Sequence, residues 1–148
     1  MSSILITGGT GSLGQELVKK LLQIEDNGPI RSIPHNYYTK IIIYSRSEHK
    51  QEEMHSALAK QYDTSRLRYH IGDVRDRARL DTSLRGNNVG VIINAAALKI
   101  VPKGETDPIE FVKTNIYGVQ NVIESAAQHR VSKVMQISTD KAVAPINL

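Results

Sequence analysis

The chain contains no cysteine, and this absence excludes several kinds of site at once. Without a thiol among its 148 residues, the protein has no disulfide scaffold, no zinc site built on thiolates and no cysteine nucleophile. Its five histidines show no spacing suited to a metal ion, so we expect no metal site. The hydrophobic and charged fractions, 40% and 23%, are those of an ordinary folded protein. We therefore expect residues 1–148 to form one domain.

Long apolar runs and basic tracts are also missing. The apolar stretch at residues 89–101 is interrupted by Asn94 and Lys99 and is too short to cross a bilayer. The net charge is +4, but the lysines and arginines are scattered and form no aromatic-rich basic face. No signal peptide is recognisable before the first apolar strand. These absences predict a soluble cytoplasmic protein with no membrane and no nucleic-acid partner.

What the sequence does contain is a regular alternation of strand and helix patterns. The alternation predicts an α/β fold of the Rossmann type, with ligands bound at the carboxyl ends of the strands. The sheet should be doubly wound and parallel, in strand order 3-2-1-4-5, with the chain ending after strand five. The predicted strands are 3–7, 40–44, 67–71, 89–94 and 133–138, the predicted helices are 12–23, 48–61, 76–84 and about 108–129, and 24–39 is a loop.

Two details of this fold prediction concern single residues. The last and longest helix should begin at Asp107 as N-cap, with Pro108 in its first position. The fifth strand should be an edge that leaves Val134, Met135 and Ile137 uncovered. Such an apolar edge is prone to aggregation or to pairing with another chain.

The most informative motif is the glycine-rich turn between the first strand and the first helix. Gly8 permits a tight turn, Gly11 lets the backbone approach phosphates, and Gly14 lets the helix pack closely, as a dinucleotide pyrophosphate requires. Free N–H groups and the positive end of the helix dipole then bind the anion. A turn with a structural role only is the alternative. The cofactor-binding residues predicted here are Thr7, Gly8, Thr10, Gly11, Ser12, Leu13 and Gly14.

The residues after the second strand favour NADP over NAD as the cofactor. An NAD site usually has an acidic residue there to bind the ribose hydroxyls, whereas the 2′-phosphate of NADP is bound by cations. Ser45 and Arg46 occupy this position, and Lys50 lies one helical turn further on. The guanidinium of Arg46 suits a phosphate, although stacking on adenine and simple solvation are alternatives. We predict that Ser45, Arg46 and Lys50 bind the cofactor, with NAD as the alternative to NADP.

Two further strand ends are candidates for contact with the dinucleotide. Asp73 and Val74 follow the third strand, where a carboxylate accepts a hydrogen bond from the adenine amine and the Val74 backbone lines the base. For Asp73 an ordinary turn is the alternative. After the fourth strand, small side chains leave room for a ribose and the nicotinamide. They belong to Ala95, Ala96 and Ala97.

Asn115 is a polar residue in a helical stripe that should be buried. It shares a face with Phe111, Val119 and Val122 in the predicted long helix. A buried amide without partners costs about 1–3 kcal/mol, so Asn115 should bind backbone or a water near the ends of strands four and five. We predict a structural polar residue at the cofactor site rather than a catalytic one.

The segment that closes the fifth strand should point into the site. Thr139 is able to hydrogen-bond a substrate oxygen, and Asp140 and Lys141 supply an acid and a base within two residues. A surface turn with an ion pair is the alternative. We predict Thr139, Asp140 and Lys141 as the catalytic residues.

Together these motifs resemble the extended short-chain dehydrogenase/reductase superfamily. Within it, the chain is similar to the nucleotide-sugar 4,6-dehydratases of the polysaccharide-biosynthesis group, whose best-known members act on UDP-N-acetylglucosamine. The glycine turn is common to the superfamily, whereas Ala-Ala-Ala-Leu-Lys and Ser-Thr-Asp-Lys-Ala are more specific. The matching stretches are residues 4–12, 44–46, 71–76, 94–99, 113–116 and 138–142.

The resemblance implies an internal redox cycle that removes water from the sugar. NADP⁺ takes a hydride from C4, the C5 proton becomes acidic, water leaves from C6, and the hydride returns to C6. In this scheme Thr139 contacts the C4 oxygen, Asp140 protonates the leaving hydroxyl and Lys141 removes the C5 proton. Lys99 would lie near the nucleotide-sugar substrate.

The sequence departs from the family pattern in two places. The family usually has histidine where Ile100 stands, and its Tyr-x-x-x-Lys pair would begin beyond Leu148. General-base catalysis alone contributes about 10²–10⁴-fold. We therefore expect the 148-residue chain by itself to show no measurable dehydratase activity.

Other functions are compatible with the same motifs. The chain is alternatively a non-catalytic NADP-binding module or gene remnant, or part of another extended reductase or a nucleotide-sugar 4-epimerase. Asp140 and Lys141 argue against the epimerase, because redox at C4 alone needs no second acid–base pair. A nucleotide sugar and a second copy of the chain are the expected partners.

Overall fold

Parallel strands and helices alternate in the computed structural model, which describes residues 2–23 and 38–139. The described strands pair in parallel in the order β3-β2-β1-β4-β5, which confirms the predicted fold. The strands are β1 (Ser2–Thr7), β2 (Tyr38–Ser45), β3 (Leu67–Ile71), β4 (Val89–Asn94) and β5 (Lys133–Gln136). The α-helices are α1 (Ser12–Gln23), α2 (Glu48–Leu58), α3 (Arg77–Leu84), α4 (Val101–Thr106), α5 (Pro108–Val112) and α6 (Gly118–Gln128), with a π-helical turn at Lys113–Tyr117.

The centre of the sheet is buried on both faces, which explains why its central strands are continuous apolar runs. Ile4 and Ile6 of β1 pack against side chains of α1 and α2, whereas Leu5 packs against α3 and α6 on the other face. Successive residues of a strand point to opposite faces, so each layer of helices covers alternate residues. Because the strands are parallel, the turns that follow them converge at the carboxyl edge of the sheet, which the two layers of helices do not cover.

The region between β4 and the predicted long helix contains a helix that the sequence pattern did not indicate. Helix α4 has Pro102 in its first turn. An N–H group in the first turn has no partner within the helix, so the missing N–H of proline costs nothing there. Asp107 precedes α5 as predicted, but its carboxylate accepts a hydrogen bond from Thr106 Oγ1 at 2.9 Å and does not cap α5. The prediction of Asp107 as the N-cap residue, followed by Pro108 in the first position, is therefore confirmed, although its side chain makes no capping hydrogen bond.

The predicted helix at 108–129 is interrupted by the π-helical turn, which shifts its buried stripe. Thr114, Gly118 and Val122 are buried, whereas Asn115 is only partly buried. A π turn holds more residues than an α turn and so rotates the residues before it relative to those after it. The predicted stripe through Asn115 is therefore wrong by about one residue, since it assumed a period of about 3.6 throughout.

Strand β5 pairs with β4 alone among the described strands, and part of its apolar surface is uncovered. Met135 and Ile137 are 51% and 37% exposed, as predicted. Val134 is only partly exposed, because it packs against the buried cluster that contains Leu5 and Val122. The prediction for Val134 is therefore wrong.

The remaining predicted elements agree with the structure to within a few residues. The predicted loop at 24–39 lies outside the described residues except for Tyr38 and Thr39, which belong to β2. Within the two described ranges, no helix combines the length and apolarity needed to cross a membrane.

Candidate functional site

The turns that follow β1, β2, β3 and β4 enclose a cleft of about 350 Å³ at the carboxyl edge of the sheet. Every residue predicted to bind the cofactor lines this cleft except Thr7 and Asn115, and the predicted substrate residue Lys99 lines it too. The lining residues are Gly8, Thr10, Gly11, Ser12, Leu13, Gly14, Tyr44, Ser45, Arg46, Ser47, Lys50, Gly72, Asp73, Val74, Ala95, Ala96, Ala97, Lys99 and Thr114.

The glycine turn has the geometry that its spacing predicted. Gly8 has a φ of +64°, and a Cβ there would lie 2.7 Å from the carbonyl oxygen of Ala95. A Cβ on Gly14 would lie 2.5 Å from the Cα of Gly9, so α1 packs directly on the turn. The amide of Gly11 donates to the Gly8 carbonyl at 2.9 Å, which closes the turn immediately before α1. The start of α1 therefore faces the cleft, as anion binding at a helix N-terminus requires.

Thr7 supports the cleft from beneath rather than lining it. Its side chain is fully buried, and its hydroxyl donates to Asn94 Oδ1 and accepts from the Ala96 amide at 3.3 Å. Asn94 in turn donates from Nδ2 to Gln136 Oε1 at 2.6 Å. Thr7 thereby joins the ends of β1 and β4 and fixes the backbone of the alanine segment that lines the cleft.

Tyr44 and Gly72 form one wall of the cleft, and sequence reasoning missed both. The Tyr44 hydroxyl donates to the backbone carbonyl of Asp73 at 3.0 Å, and burial raises the pKa of Tyr44 far above its usual value. A Cβ on Gly72 would lie 2.3 Å from the Tyr44 hydroxyl, so only glycine admits the ring here. The signal in the sequence is an aromatic residue and a glycine at the ends of neighbouring strands.

The carboxylate of Asp73 is held in place by Arg75. The Arg75 amide donates to Oδ1 and its Nε donates to Oδ2, both at 2.9 Å, while its Nη1 lies 2.5 Å from Glu110 on α5. Burial alone would raise the pKa of Asp73, but the hydrogen bonds from Arg75 and the charges of Arg75 and Arg46 outweigh it and lower that pKa. Asp73 is therefore an ionised acceptor in the lining of the cleft.

Two cations lie where β2 ends. The side chain of Arg46 is 60% exposed, with Nη1 at 3.9 Å from Asp73 Oδ2, a weak exposed ion pair. Lys50 is exposed on the first turn of α2, whose N-cap Ser47 accepts from the Lys50 amide at 3.3 Å. Both cations remain available to an anionic group in the cleft.

Asn115 makes the backbone contacts that were predicted for it. Its Oδ1 accepts from the Leu98 amide and its Nδ2 donates to the Leu98 carbonyl, both at 2.9 Å. These two bonds use both ends of the amide, and Asn115 does not line the cleft. The segment after β4 is thereby fixed to the π-helical turn.

Thr114, the residue before Asn115, lines the cleft and was not predicted to do so. It is only 5% exposed, and its hydroxyl oxygen has no hydrogen-bond partner among the described residues. An unpaired buried hydroxyl costs about 1–3 kcal/mol. Such a group at the wall of a cleft is suited to bond with a ligand.

The predicted catalytic segment is only partly described. Thr139 follows β5 and is exposed, whereas Asp140 and Lys141 lie outside the described residues. Ile100 stands where the family that this sequence resembles usually has histidine, and it is 63% exposed.

Comparison with known proteins gives related sequences over the whole chain. The family described as polysaccharide biosynthesis protein matches residues 4–148. A UDP-N-acetylglucosamine 4,6-dehydratase (inverting) of Campylobacter jejuni is 47% identical over 147 residues, which are 99% of this chain and 39% of that protein. A UDP-glucose 4-epimerase of Rickettsia akari is 41% identical over 145 residues, 98% of this chain and 38% of that protein. The chain thus spans well under half the length of these relatives, and the predicted resemblance is confirmed.

Solved structures give the same fold. The protein Pen of Bacillus thuringiensis superposes with a TM-score of 0.83 at 32% identity. The superposition covers 99% of this chain and 40% of Pen. A dTDP-glucose 4,6-dehydratase of Streptomyces venezuelae, solved with NAD bound, has a TM-score of 0.69 at 26% identity and covers 89% of this chain and 38% of its own.

Proposed function

The chain belongs to the polysaccharide biosynthesis protein family, and we propose on that premise that it forms the cofactor-binding part of a nucleotide-sugar 4,6-dehydratase. The substrate we propose is UDP-N-acetylglucosamine, by analogy with the Campylobacter jejuni relative. The cofactor we propose is NADP. The setting would be surface polysaccharide or glycan biosynthesis in the cytoplasm, by an enzyme that is a homo-oligomer.

The observation that carries this proposal is the cleft itself. A glycine turn at the start of α1 suits a pyrophosphate, and the ionised Asp73 at the end of β3 suits the amine of adenine. The Streptomyces venezuelae relative was solved with NAD, which supports a nicotinamide dinucleotide as the class of ligand. NADP is preferred because Arg46 and Lys50, rather than a carboxylate, line the end of β2.

When bound, the dinucleotide supplies the hydride acceptor for C4 of the sugar. We propose that Thr139 hydrogen-bonds the C4 oxygen and orients it, that Lys141 removes the C5 proton, and that Asp140 gives its proton to the hydroxyl leaving C6 as water. Lys99, which lines the cleft after β4, would contact the substrate beside the nicotinamide. The buried Thr7 acts through the Ala96 backbone and keeps the floor of the cleft in place.

A 4-epimerase is the second candidate, because the Rickettsia akari relative is 41% identical. Epimerisation needs oxidation and reduction at C4 and no loss of water. The presence of an acid and a base together at Asp140 and Lys141 therefore favours the dehydratase, since elimination across C5 and C6 requires both.

A chimera tests the proposed reaction. In this chimera, residues 1–148 replace the matching region of the Campylobacter jejuni relative. The chimeric protein is incubated with UDP-N-acetylglucosamine and NADP⁺. We expect a product one water lighter by mass spectrometry, with a solvent proton incorporated at C5. Lys141→Met should reduce the rate by about 10²–10⁴-fold, as removal of a general base does.

The matched control for the chimera is Lys60→Met, a lysine outside the cleft that should leave the rate unchanged. Conversion of UDP-glucose to its C4 epimer, with UDP-N-acetylglucosamine left intact, would contradict the dehydratase and establish the epimerase. The unfused chain should bind NADP⁺ without turning over either sugar.

Thr114→Val should change stability and binding in opposite directions. Removing an unpaired buried hydroxyl should raise the Tm of the free chain by about 2–4 °C, because about 1 kcal/mol of desolvation cost disappears. The same change should weaken NADP⁺ binding by about three- to tenfold, because the hydroxyl loses its bond to the ligand. Thermal unfolding and isothermal titration measure the two effects, and Thr114→Ser is the control that keeps the hydroxyl. A fall in both Tm and affinity would contradict this role.

A further inference from the structure

Ser45, the last residue of β2, is held from behind by the buried side chain of Gln51. Gln51 lies in the first turn of α2 and is only 5% exposed. Its Nε2 lies 3.0 Å from Ser45 Oγ, 3.2 Å from the Ser45 carbonyl oxygen and 3.1 Å from the His70 carbonyl oxygen. One amide group thus joins the ends of β2 and β3 and contacts a hydroxyl that lines the cleft.

The two carbonyls determine which end of the Gln51 amide faces Ser45. A carbonyl oxygen only accepts hydrogen bonds, so the group beside both carbonyls is the –NH₂. That group has two hydrogens for three acceptors, so one N–H is shared between the carbonyl oxygen and Oγ of Ser45. An amide nitrogen does not accept, and the Ser45 hydroxyl is therefore the acceptor in its contact with Gln51. The single proton of the hydroxyl is left for another partner. Among the described residues, Ser45 Oγ makes no other hydrogen bond.

The surroundings of Ser45 indicate what that partner is. Ser45 is 7% exposed and lines the cleft beside Arg46 and Lys50, at the strand end that meets the ribose of a bound dinucleotide. A phosphate oxygen only accepts hydrogen bonds, whereas a ribose hydroxyl both donates and accepts. A serine that is fixed as a donor therefore matches a phosphate better than it matches a hydroxyl.

We propose that Gln51 is a positioning residue for cofactor selectivity: it fixes the Ser45 hydroxyl as a donor toward the 2′-phosphate of NADP. This inference rests on the proposed function. Arg46 and Lys50 supply positive charge, which attracts a phosphate from any direction. Gln51 acts through Ser45 and adds a directed hydrogen bond, which NAD lacks the phosphate to accept.

A double-mutant cycle on the full chain tests the inference. Dissociation constants for NADP⁺ and NAD⁺ are measured by isothermal titration for the unaltered chain, Ser45→Ala, Gln51→Met and the double variant. Each single substitution should weaken NADP⁺ binding by about three- to tenfold, since Ser45→Ala removes the directed bond and Gln51→Met removes the group that orients it. Each should change NAD⁺ binding less than about twofold. The double variant should bind NADP⁺ no more weakly than Ser45→Ala, because Gln51 acts through Ser45. Gln61→Met, an exposed glutamine just after α2, is the matched control.

Two outcomes of the cycle overturn the inference. Additive losses in the double variant would show that Gln51 does not act through Ser45. Equal losses for NADP⁺ and NAD⁺ would show that Gln51 supports the fold of the strand ends and does not select between cofactors. If the unaltered chain binds neither dinucleotide, the proposed function itself fails, and this inference fails with it. If the unaltered chain prefers NADP⁺ and the cycle is additive, only this inference fails.

A measurement on the unaltered chain covers the case in which Gln51→Met does not fold. The side-chain amide resonances of Gln51 are followed by NMR while NADP⁺ or NAD⁺ is added. A bond from Ser45 to a phosphate polarises the bond from Gln51 to Ser45, so the resonances should shift more with NADP⁺ than with NAD⁺. Identical shifts with the two cofactors would overturn the inference.

Discussion

Replacing Gly14 by alanine should destabilise the chain by about 1–3 kcal/mol and weaken NADP⁺ binding by about 100-fold. The added Cβ would lie 2.5 Å from the Cα and carbonyl oxygen of Gly9, and these backbone atoms cannot turn away as a side chain can. Helix α1 must then shift away from the turn. Because each hydrogen bond to a charged group contributes about 1.5–3 kcal/mol, losing one or two bonds to the pyrophosphate accounts for the expected fall in affinity. Urea unfolding and isothermal titration measure the two effects.

Gly104→Ala is the matched control for Gly14→Ala. The nearest atom to a Cβ on Gly104 is Cε1 of Phe111 at 3.4 Å, an ordinary contact. Gly104 lies inside α4, where alanine is favoured over glycine by about 0.5–1 kcal/mol. This variant should be as stable as the parent or slightly more so. If Gly14→Ala bound NADP⁺ as tightly as the control does, the close contact between α1 and the glycine turn would be irrelevant to binding.

Arg46→Ala should weaken NADP⁺ binding by about 10–30-fold and NAD⁺ binding by less than about threefold. A guanidinium forms charge-assisted bonds with a phosphate, and only NADP carries the 2′-phosphate. The effect stays below that of a buried charge pair, because the Arg46 side chain is 60% exposed and solvent screens its charge. Fluorescence titration with both cofactors at two salt concentrations measures the effect, and the difference between the cofactors should shrink at high salt.

Arg85→Ala removes an exposed arginine that does not line the cleft and is the control for Arg46→Ala. It should leave both dissociation constants unchanged. An equal loss of NADP⁺ and NAD⁺ affinity in Arg46→Ala would mean that the guanidinium contacts a group common to both cofactors, as it does when it stacks on adenine. The preference for NADP would then rest on Lys50 and Ser45 alone.

The sequence predicted the parts of the site that depend on local chain geometry. Gly8 and Gly14 were identified because only glycine fits a turn with positive φ or a helix packed on backbone, and such requirements are visible in a short motif. Asp73 was identified because it follows an apolar strand of a parallel sheet, whose carboxyl ends meet at one edge. The strand order was also predictable, because an alternation of strands and helices allows few ways to connect the strands of a sheet.

Apart from the backbone contacts of Asn115, the parts that depend on contacts between distant segments were not predicted. Gln51 lies three and seven residues before the buried Met54 and Leu58, a spacing that places it on the buried face of α2. That spacing was the available signal, but the carbonyl of His70 that the amide binds comes from another strand. Thr114 was missed because a constant helical period does not reveal a π-helical turn, which changes the residues that are buried.

The position of β1 in the sheet gives the two ends of the cleft different local stabilities. β1 pairs with both β2 and β4, and the amide of Gly8 donates to the Tyr44 carbonyl at 2.9 Å. We expect that amide to exchange its hydrogen slowly, because β1 is paired on both sides and opens less readily than an edge strand. β3, which carries Asp73 at its end, pairs with β2 alone among the described strands. Amide exchange should therefore be slow at the glycine turn and faster at Asp73, so that the dinucleotide we propose would bridge a rigid element and one that opens more readily.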